Sequence, residues 1–406
     1  MCNRAPATAC ICLALAPCAN LPARGRCQVQ MLTAPDGAPG DLFGFSVAAG
    51  NQFALVGAQL HDGSSVDSGI VHVFERLAGT WTLSAQLVPR EPEHGGFGHS
   101  TALSAHTAVI GAVGEGGVGT AYLMQRSHKV WVNTATLVPA DGDVDNLFAW
   151  SVAIDGGVAV VGAPNDSDRA FRAGSVCVFE RDGDANWSQV AELLPSDGQA
   201  GDEFGAAVAV QAGTILVGNW ADNDAGFTSG SAYVFERQPN GVWREMAKLR
   251  ASDAGGLYRF GIAVSLSGSS ALIGALGATG REPYTGAAYV FVRGTNGQWQ
   301  EMTKLYADDG ANSDAFGWSV ALDGATAVIG AKQDEREGFF LAGSAYVFAR
   351  EQPGRYTRWP RPDGARPLHR GQDVRPAPVF GRTFPQTAGQ ACLCAVGGDA
   401  RLRSRL

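Results

Sequence analysis

Short apolar runs separated by glycine turns recur over most of the chain. Residues 151–154 and 158–161 are two such runs, and the Asp-Gly-Gly turn between them has the length of a β-hairpin connection. A third apolar run lies at 174–181. Residues 187–194 then alternate between apolar and polar, as the half-exposed outer strand of a sheet does. The pattern predicts a four-stranded antiparallel unit.

This unit repeats along the chain. Each copy opens on Phe-Gly, or in one case on Phe-Ala, and successive openings are 54, 51, 56, 56 and 56 residues apart. Tandem units of this size are typical of a β-propeller, in which four-stranded sheets stand around a central channel. The sequence therefore predicts an all-β propeller with six recognisable blades, and a truncated seven-bladed ring is the alternative. The openings are Phe43, Phe97, Phe148, Phe204, Phe260 and Phe316.

The second strand of most units ends on Gly-Ala, and that of the third unit ends on Gly162-Ala163-Pro164. Phe-Gly followed by Gly-Ala-Pro gives the FG-GAP repeat its name. Over about residues 35–350 the chain resembles FG-GAP repeat proteins, a repeat that also builds the propeller of integrin α chains. Gly218-Asn219 departs from the pattern. The resemblance implies a propeller that binds other molecules.

Many FG-GAP blades carry a calcium loop between their first two strands, and calcium needs several convergent oxygens. Here that connection is a short hairpin, as at 155–157, so the chain resembles a short-hairpin subtype and we expect no cofactor there. The linkers between blades do repeat Asp-Gly and then Asp, which we interpret as turns closed by aspartate side chains. The alternative is a metal site at Asp141, Asp143 and Asp145.

The number of blades depends on the two ends of the repeated region. Integrin α propellers have seven blades, whereas six units are recognisable here. Residues 27–33 match the fourth strand of a unit. Such a strand could complete the last blade, cover an exposed sheet edge and close a six-bladed ring. We therefore assign residues 27–356 to the propeller.

After Tyr356, which stands where Trp leads the fourth strand of other units, the pattern is lost. Residues 351–406 contain ten Arg, seven Pro and four acidic residues, which gives a net charge of +6. We assign residues 357–406 to an Arg- and Pro-rich tail that is disordered or results from a reading-frame break near Thr357. A diverged C-terminus is the alternative.

Charge and hydrophobicity exclude two classes of partner. The chain has a net charge of −8, so residues 1–350 carry −14, and an acidic body is a poor binder of nucleic acid. No apolar run is long enough to span a membrane.

Arg4 and the apolar stretch at 7–19 resemble a secretory signal. We therefore assign residues 1–26 to a leader and expect a secreted or cell-surface protein; a leader that is not exported is the alternative.

Motifs of catalytic sites are scarce. Neither G-x-S-x-G nor H-E-x-x-H occurs. Residues 114–119 fit the dinucleotide pattern G-x-G-x-x-G, but a strand follows them instead of the helix that the pattern needs. His94 and His99 could transfer protons, although a structural place in a turn or strand explains both. We predict that the protein is not an enzyme.

The loops between the second and third strands are the variable parts of the repeat, and loops on a rigid scaffold commonly carry function. Their Arg and aromatic residues are typical of an interface. We predict a non-catalytic extracellular or cell-surface protein of binding or adhesion type, with an unknown protein or carbohydrate as ligand. The alternatives are an enzyme with its site at the mouth of the central channel and a truncated non-functional fragment. The candidate binding residues are Asp166, Asp168, Arg169, Arg172, Trp220, Asp222, Asp224, Phe227, Arg281, Tyr284, Arg336 and Phe339.

Overall fold

Glycine turns divide the chain into strands of three to nine residues, which pair only with their neighbours in sequence. The computed structural model describes residues 30–63, 65–89, 95–142, 144–335, 342–352 and 355–358. Within them the strands form six four-stranded antiparallel sheets. The fold is therefore an all-β, six-bladed β-propeller, as the repeat predicts. No helix in these ranges is long and apolar enough to cross a membrane.

The blades follow one another in chain order, and within each the strands run from first to fourth across the sheet. Blade 1 contains β1 (Val47–Ala49), β2 (Phe53–Ala58), β3 (Ile70–Leu77) and β4 (Thr80–Leu87), and blade 2 contains β5 (Phe97–Ser104), β6 (Thr107–Ala112), a 3₁₀ turn (Glu115–Gly117), β7 (Thr120–Ser127) and β8 (Val130–Leu137). Blade 3 contains β9 (Ser151–Asp155), β10 (Val158–Ala163), β11 (Ser175–Arg181) and β12 (Trp187–Leu193), and blade 4 contains β13 (Ala207–Gln211), β14 (Thr214–Asn219), β15 (Ser231–Arg237) and β16 (Trp243–Leu249). Blade 5 contains β17 (Phe260–Ser267), β18 (Ser270–Ala275), β19 (Ala287–Arg293) and β20 (Trp299–Leu305), and blade 6 contains β21 (Phe316–Asp323), β22 (Thr326–Ala331), β23 (Ser344–Gln352) and β24 (Arg355–Arg358).

The first strands lie nearest the propeller axis. Those of adjacent blades pack against one another, whereas the fourth strands hardly touch. The loops between second and third strands emerge at the end of the blade where the first strand begins, so they share a face with the inter-blade linkers. We call this face the loop face.

The two halves of the repeated motif meet at the interface between blades. A Cβ atom on Gly57, at the end of β2, would lie 2.2 Å from the carbonyl oxygen of Gly98, which follows Phe97 in blade 2. In the same way a Cβ atom on Gly162 would lie 2.1 Å from the carbonyl oxygen of Gly205. Such distances are far inside van der Waals contact, so the backbones can approach this closely only because the residue near the end of the second strand lacks a side chain. The partner residue can carry one, since a Cβ atom on Gly111 would lie 2.4 Å from the carbonyl oxygen of Ala149.

Beside this contact the Phe side chain of the motif fills the space between blades. Phe204 has no exposed surface and lies edge-on to Tyr233 at 5.4 Å and to Phe235 at 6.0 Å between ring centroids. The Trp residues at the start of the fourth strands also pack between blades. Trp131 of blade 2 contacts Phe53 of blade 1 edge-on at 5.5 Å. Apolar clusters of this kind join each blade to the next.

In each of blades 1 to 5, the second strand packs against the first strand of the next blade. Among the described residues, no comparable packing joins the second strand of blade 6, β22, to the first strand of blade 1, β1. Among the described residues, the outer face of blade 6 is correspondingly less covered than that of blade 5. Leu272 and Val290 of blade 5 have no exposed surface, because blade 6 covers them. Val328 and Val347, at the equivalent positions of blade 6, are only partly buried.

Residues 30–33 do not complete blade 6, so that expectation is wrong for the part of the segment that the structure describes. The fourth-strand position of blade 6 is filled by β24, which pairs with β23. The segment instead covers the open face of blade 1. Leu32 is buried in the same cluster as Phe43 and Trp81, and the Gln30 side chain bonds the backbone of Trp81 in both directions. The end of β24 at Arg358 also places the first two residues of the assigned tail in a strand; 359–406 and the assigned leader lie outside the described residues.

The uncovered face predicts unequal costs for one substitution made at two equivalent positions. Val290→Ala should lower the free energy of unfolding by about 1–3 kcal/mol, because it opens a cavity between two blades. Val347→Ala should cost less than about 1 kcal/mol, since solvent already reaches that side chain. Urea unfolding of both variants measures the difference. Equal losses would mean that another surface covers Val347.

Candidate functional site

Three aromatic side chains project from the loop face. Phe171, Phe227 and Tyr284 lie in the loops of blades 3, 4 and 5 and are 70%, 73% and 46% exposed. Their backbones are fixed, because each carbonyl accepts a hydrogen bond from the linker that follows the blade: from Gly201 to Phe171, and likewise in the other two blades. The rings are therefore presented to solvent on a constrained backbone. Of the three, the sequence analysis identified Phe227 and Tyr284.

A second group of rings lies nearer the axis, at the residue that follows Phe-Gly or Phe-Ala. Phe45 and Trp150 lie just before the first strands of blades 1 and 3, and His99 lies near the start of the first strand of blade 2. Their ring centroids are 5.0 Å apart between Phe45 and His99 and 4.6 Å apart between His99 and Trp150. Phe45 is 47% exposed and Trp150 is 39% exposed. We call these three residues the aromatic arc.

The arc is confined to part of the channel mouth. Blades 4 and 5 place Ala206 and Ile262 at this position, and blade 6 places Trp318 there, with the ammonium of Lys332 3.9 Å from its ring. Sequence reasoning missed the arc, although its signal is visible: the second residue after each motif Phe is aromatic in four of six units.

His99, at the centre of the arc, is held as a neutral ring. Its Nδ1 lies 2.6 Å from Oε1 of Gln59. Burial lowers the pKa of His99 to about 4, because the charged form would lose its hydration. At neutral pH the side chain therefore contributes an uncharged ring between two others.

In blades 4 and 5 the first aspartate of the preceding linker accepts hydrogen bonds from two side chains of the blade. In blade 4, Asp197 accepts a hydrogen bond of 2.6 Å from the hydroxyl of Tyr233 and another of 2.7 Å from the ammonium of Lys248. Asp253 is bonded in the same way by Tyr289 and Lys304 in blade 5. Burial alone would raise the pKa of Asp197, but these hydrogen bonds outweigh burial and lower it.

The second aspartate of the linker closes a turn, as its sequence pattern indicates. Asp41, Asp202 and Asp314 each accept a hydrogen bond from the backbone N–H three residues before them. Among the described residues, Asp145 is in no group of three side chains that could hold a metal ion; it is exposed, and its backbone N–H donates a hydrogen bond to the carbonyl of Gly117. Asp143 lies outside the described residues.

Blade 4 brings Asp222 and Asp224 together around a cation of the protein itself. The ammonium of Lys248 lies 2.7 Å from a carboxylate oxygen of Asp222 and 2.6 Å from one of Asp224, in addition to its contact with Asp197. Asp222 is buried and also accepts a hydrogen bond of 2.6 Å from Ser231. These two candidate residues therefore stabilise the base of the loop.

At the position that Lys248 occupies in blade 4, blade 3 has the acid Glu192. Carboxylate oxygens of Asp141, Asp166 and Glu192 all lie within 4.8 Å of one another. Asp166 is buried and accepts hydrogen bonds from Ser175 and from the backbone N–H of Asp168. Burial, and then the charges of Asp166, Asp168 and Asp141, raise the pKa of Glu192 to about 7. We call Asp141, Asp166 and Glu192 the blade 3 acid cluster.

The remaining predicted residues that the structure describes bond to linkers or contact aromatic rings. Arg169 donates to the backbone carbonyls of Ser196 and Gly198, and Arg281 donates to that of Asp308 at 2.8 Å, so both arginines brace linkers. Arg172 lies over the ring of Phe171, and Trp220 lies under Arg259. Arg336 and Phe339 lie outside the described residues.

Comparison with known families connects these blades to one repeat. The FG-GAP repeat matches five stretches of the chain. Four of them begin at the fourth strand of one blade and end within the third strand of the next blade. The first match begins in the segment before blade 1 and ends within the third strand of blade 1. A comparison with curated proteins found no match. The matched residues are 27–74, 131–179, 187–235, 243–291 and 299–348.

The raised pKa of Glu192 predicts a stability that depends on pH. Between its ordinary pKa of 4.5 and about 7, the folded chain keeps a proton that the unfolded chain releases. Stability should therefore fall as the pH rises through this window and stay low above it. In chelator, Glu192→Gln should leave the melting temperature unchanged near about pH 4 and raise it by about 1–3 °C near about pH 8.

The matched control is Glu282→Gln, which removes an exposed carboxylate from the loop of blade 5. It should shift the melting temperature equally at both pH values. A Glu192→Gln variant that behaves like this control would mean that Glu192 ionises normally in the folded chain.

Proposed function

Because the chain belongs to the FG-GAP repeat family, we propose that it is a non-catalytic binding propeller of adhesion type that holds a protein or carbohydrate ligand on its loop face. We further propose that it acts outside the cell or at the cell surface. The basis for this location is the leader-like sequence at residues 1–26, in which a basic start precedes an apolar stretch.

The observation that carries the proposal is the set of exposed rings on a rigid frame. Phe45, Trp150, Phe171 and Phe227 are among the exposed large side chains, and all stand on the loop face. Solvent-exposed aromatic residues cost free energy that a bound partner recovers, and such rings are frequent at the energetic centre of interfaces. Strands and backbone hydrogen bonds fix their positions, so little order is lost when a ligand binds.

The chemistry of the arc also favours binding over catalysis. A general acid or base should change protonation near its working pH. His99, the titratable group within the arc, has a pKa lowered to about 4 and lies between two rings that are tilted against it. A neutral, immobile ring is suited to packing against a flat apolar surface, such as the face of a pyranose or of an aromatic side chain.

Charge narrows the class of ligand. Residues 1–350 carry −14. Of the three arginines in the loops of blades 3 and 5, Arg169 and Arg281 are bonded to linker carbonyls, and Arg172 lies over the ring of Phe171. A polyanion would therefore find little free positive charge in these two loops. We propose that the ligand is neutral or basic.

The proposal predicts that loss of single rings weakens binding. The purified chain is applied to an array of neutral and acidic glycans and to a panel of extracellular matrix proteins. Phe45→Ala and Trp150→Ala should each weaken binding to the ligand so found by about tenfold or more, because each removes a central aromatic contact.

Leu77→Ala is the matched control, since it truncates a side chain of similar exposure at a turn between third and fourth strands, on the opposite face. It should change affinity by less than about twofold. Binding that both arc variants leave intact would contradict the loop-face proposal, and conversion of the bound ligand with time would contradict the non-catalytic one.

A further inference from the structure

Two tryptophans of the loop face already hold a cation of the protein itself. The ammonium of Lys332 lies 3.9 Å from the ring centroid of Trp318, which stands at the repeat position of the arc in blade 6. The guanidinium of Arg259 lies 5.3 Å from the ring centroid of Trp220, which follows the second strand of blade 4. Ring faces at this end of the propeller are therefore used as cation sites within the chain.

The rings of the aromatic arc have no such cation among the described residues. Phe45 and Trp150 instead contact His99, which lies between them. Phe45 is 47% exposed and Trp150 is 39% exposed, so solvent reaches both rings. An aromatic face is the negative end of the ring quadrupole and attracts a positive charge placed over it. The arc thus offers to an external cation the contact that Trp318 makes with Lys332.

The spacing of the arc lets one small cation reach more than one ring. The ring centroids are 5.0 Å apart between Phe45 and His99 and 4.6 Å apart between His99 and Trp150. A cation is attracted to a ring when it lies within about 6 Å of the centroid. Neighbouring rings are also tilted against each other by 47° and 48°, so the wall that they form is not flat. A compact, rounded group can therefore touch two rings at once.

The charge of the surrounding segments favours a positive ligand. The linkers that precede the three arc residues and the loops of blades 1 and 2 contain ten acidic residues and a single arginine. Their summed field raises the local concentration of cations. His99 does not oppose this field, because its lowered pKa of about 4 keeps the ring neutral at physiological pH. The segments are 33–42, 59–69, 88–96, 113–119 and 138–147.

The hydrogen-bonding capacity of the arc selects among cations. Ammonium and guanidinium groups carry N–H donors, which need acceptors once they leave water. The lowered pKa of His99 has burial as its cause, with no contribution from a carboxylate. The amide oxygen of Gln59 lies 2.6 Å from Nδ1 of His99 and is engaged there. A quaternary ammonium has no N–H to satisfy, and its methyl groups pack directly on ring faces.

We propose that the aromatic arc binds the trimethylammonium group of a choline-type cation, held against Phe45, His99 and Trp150. This inference rests on the proposed function, because the arc belongs to the same loop face, and it names the chemical group that the arc recognises. The bound group would occupy the place over the rings that a lysine ammonium occupies over Trp318 in blade 6.

The test measures binding of choline to the full chain by isothermal titration, with sodium chloride at equal concentration as the reference for ionic strength. Choline should bind at one site per chain with a dissociation constant of about 10⁻³ M or tighter. The neutral isostere 3,3-dimethylbutan-1-ol has the same shape with carbon in place of nitrogen. It should bind at least about tenfold more weakly, because it lacks the charge that the ring faces attract.

Substitutions separate the ring from its hydrophobicity. Phe45→Leu and Trp150→Leu keep an apolar side chain and should each weaken choline binding by about fivefold or more. Phe45→Trp keeps a ring and should stay within about twofold of the unaltered chain. The matched control is Trp318→Leu, which removes a ring at the same repeat position that already holds Lys332. It should also change the affinity for choline by less than about twofold.

Phosphocholine, titrated in parallel, distinguishes a free cation from an esterified headgroup. Tighter binding of choline assigns the first source, and tighter binding of phosphocholine assigns the second. Either result supports the proposal, provided that both arc substitutions weaken it, because the two ligands share the trimethylammonium group. The melting temperature of each variant shows whether it folds, and if Trp150→Leu does not fold, Phe45→Leu decides.

Three results would overturn the proposal. They are no saturable binding of choline or phosphocholine, binding of the neutral isostere as tight as that of choline, and a loss in Trp318→Leu as large as that in the arc variants. The proposed function fails separately. If choline does not bind but Phe45→Ala and Trp150→Ala still weaken binding of a ligand found on the glycan or protein arrays, only the trimethylammonium proposal is wrong.

Discussion

The close contact between two backbones at each blade interface is the constraint on which the rest of this propeller depends. Gly57 and Gly98, or Gly162 and Gly205, approach so closely that a single added carbon would overlap a carbonyl oxygen. This contact sets how near one sheet stands to the next. It therefore positions the Phe side chain that fills the interface and the residue after it, which points toward the channel mouth. The residues of the repeated motif are therefore those that meet at the interface between two blades.

The sequence predicted the repeating architecture well because its signals are local. The motif spacing, the hairpin lengths and the Trp-led outer strands each depend on a few adjacent residues, and all three are confirmed. The role of residues 30–33 could not be read in the same way. A fourth strand that precedes the first unit matches the pattern whichever blade it joins, and only the pairing of β24 with β23 excludes blade 6. That choice depends on contacts between distant parts of the chain.

The candidate site was predicted only in part for the same reason. Asp166 and Asp222 look like solvated loop residues in the sequence, yet both are buried and bonded at the base of their loops. The pairing of Cys177 with Glu192 lies next to a β-bulge between Val178 and Phe179, where the register shifts. Simple alternation along the strands therefore does not reveal that Glu192 faces the linker. Comparison of equivalent positions among blades does reveal it, because an acid stands there in place of a lysine.

The partly exposed Val328 and Val347 on blade 6 have a consequence for how the molecule comes apart. A ring in which each blade is packed on both sides opens only as a whole, whereas a series of blades packed one on the next has an end from which it can fray. Backbone amides of β22 and β23 should accordingly exchange with solvent through a local opening that leaves the inner blades intact, while those of β10 and β14 exchange only through larger openings. The free energy needed to open a blade would then be highest in the middle blades and lowest in blade 6.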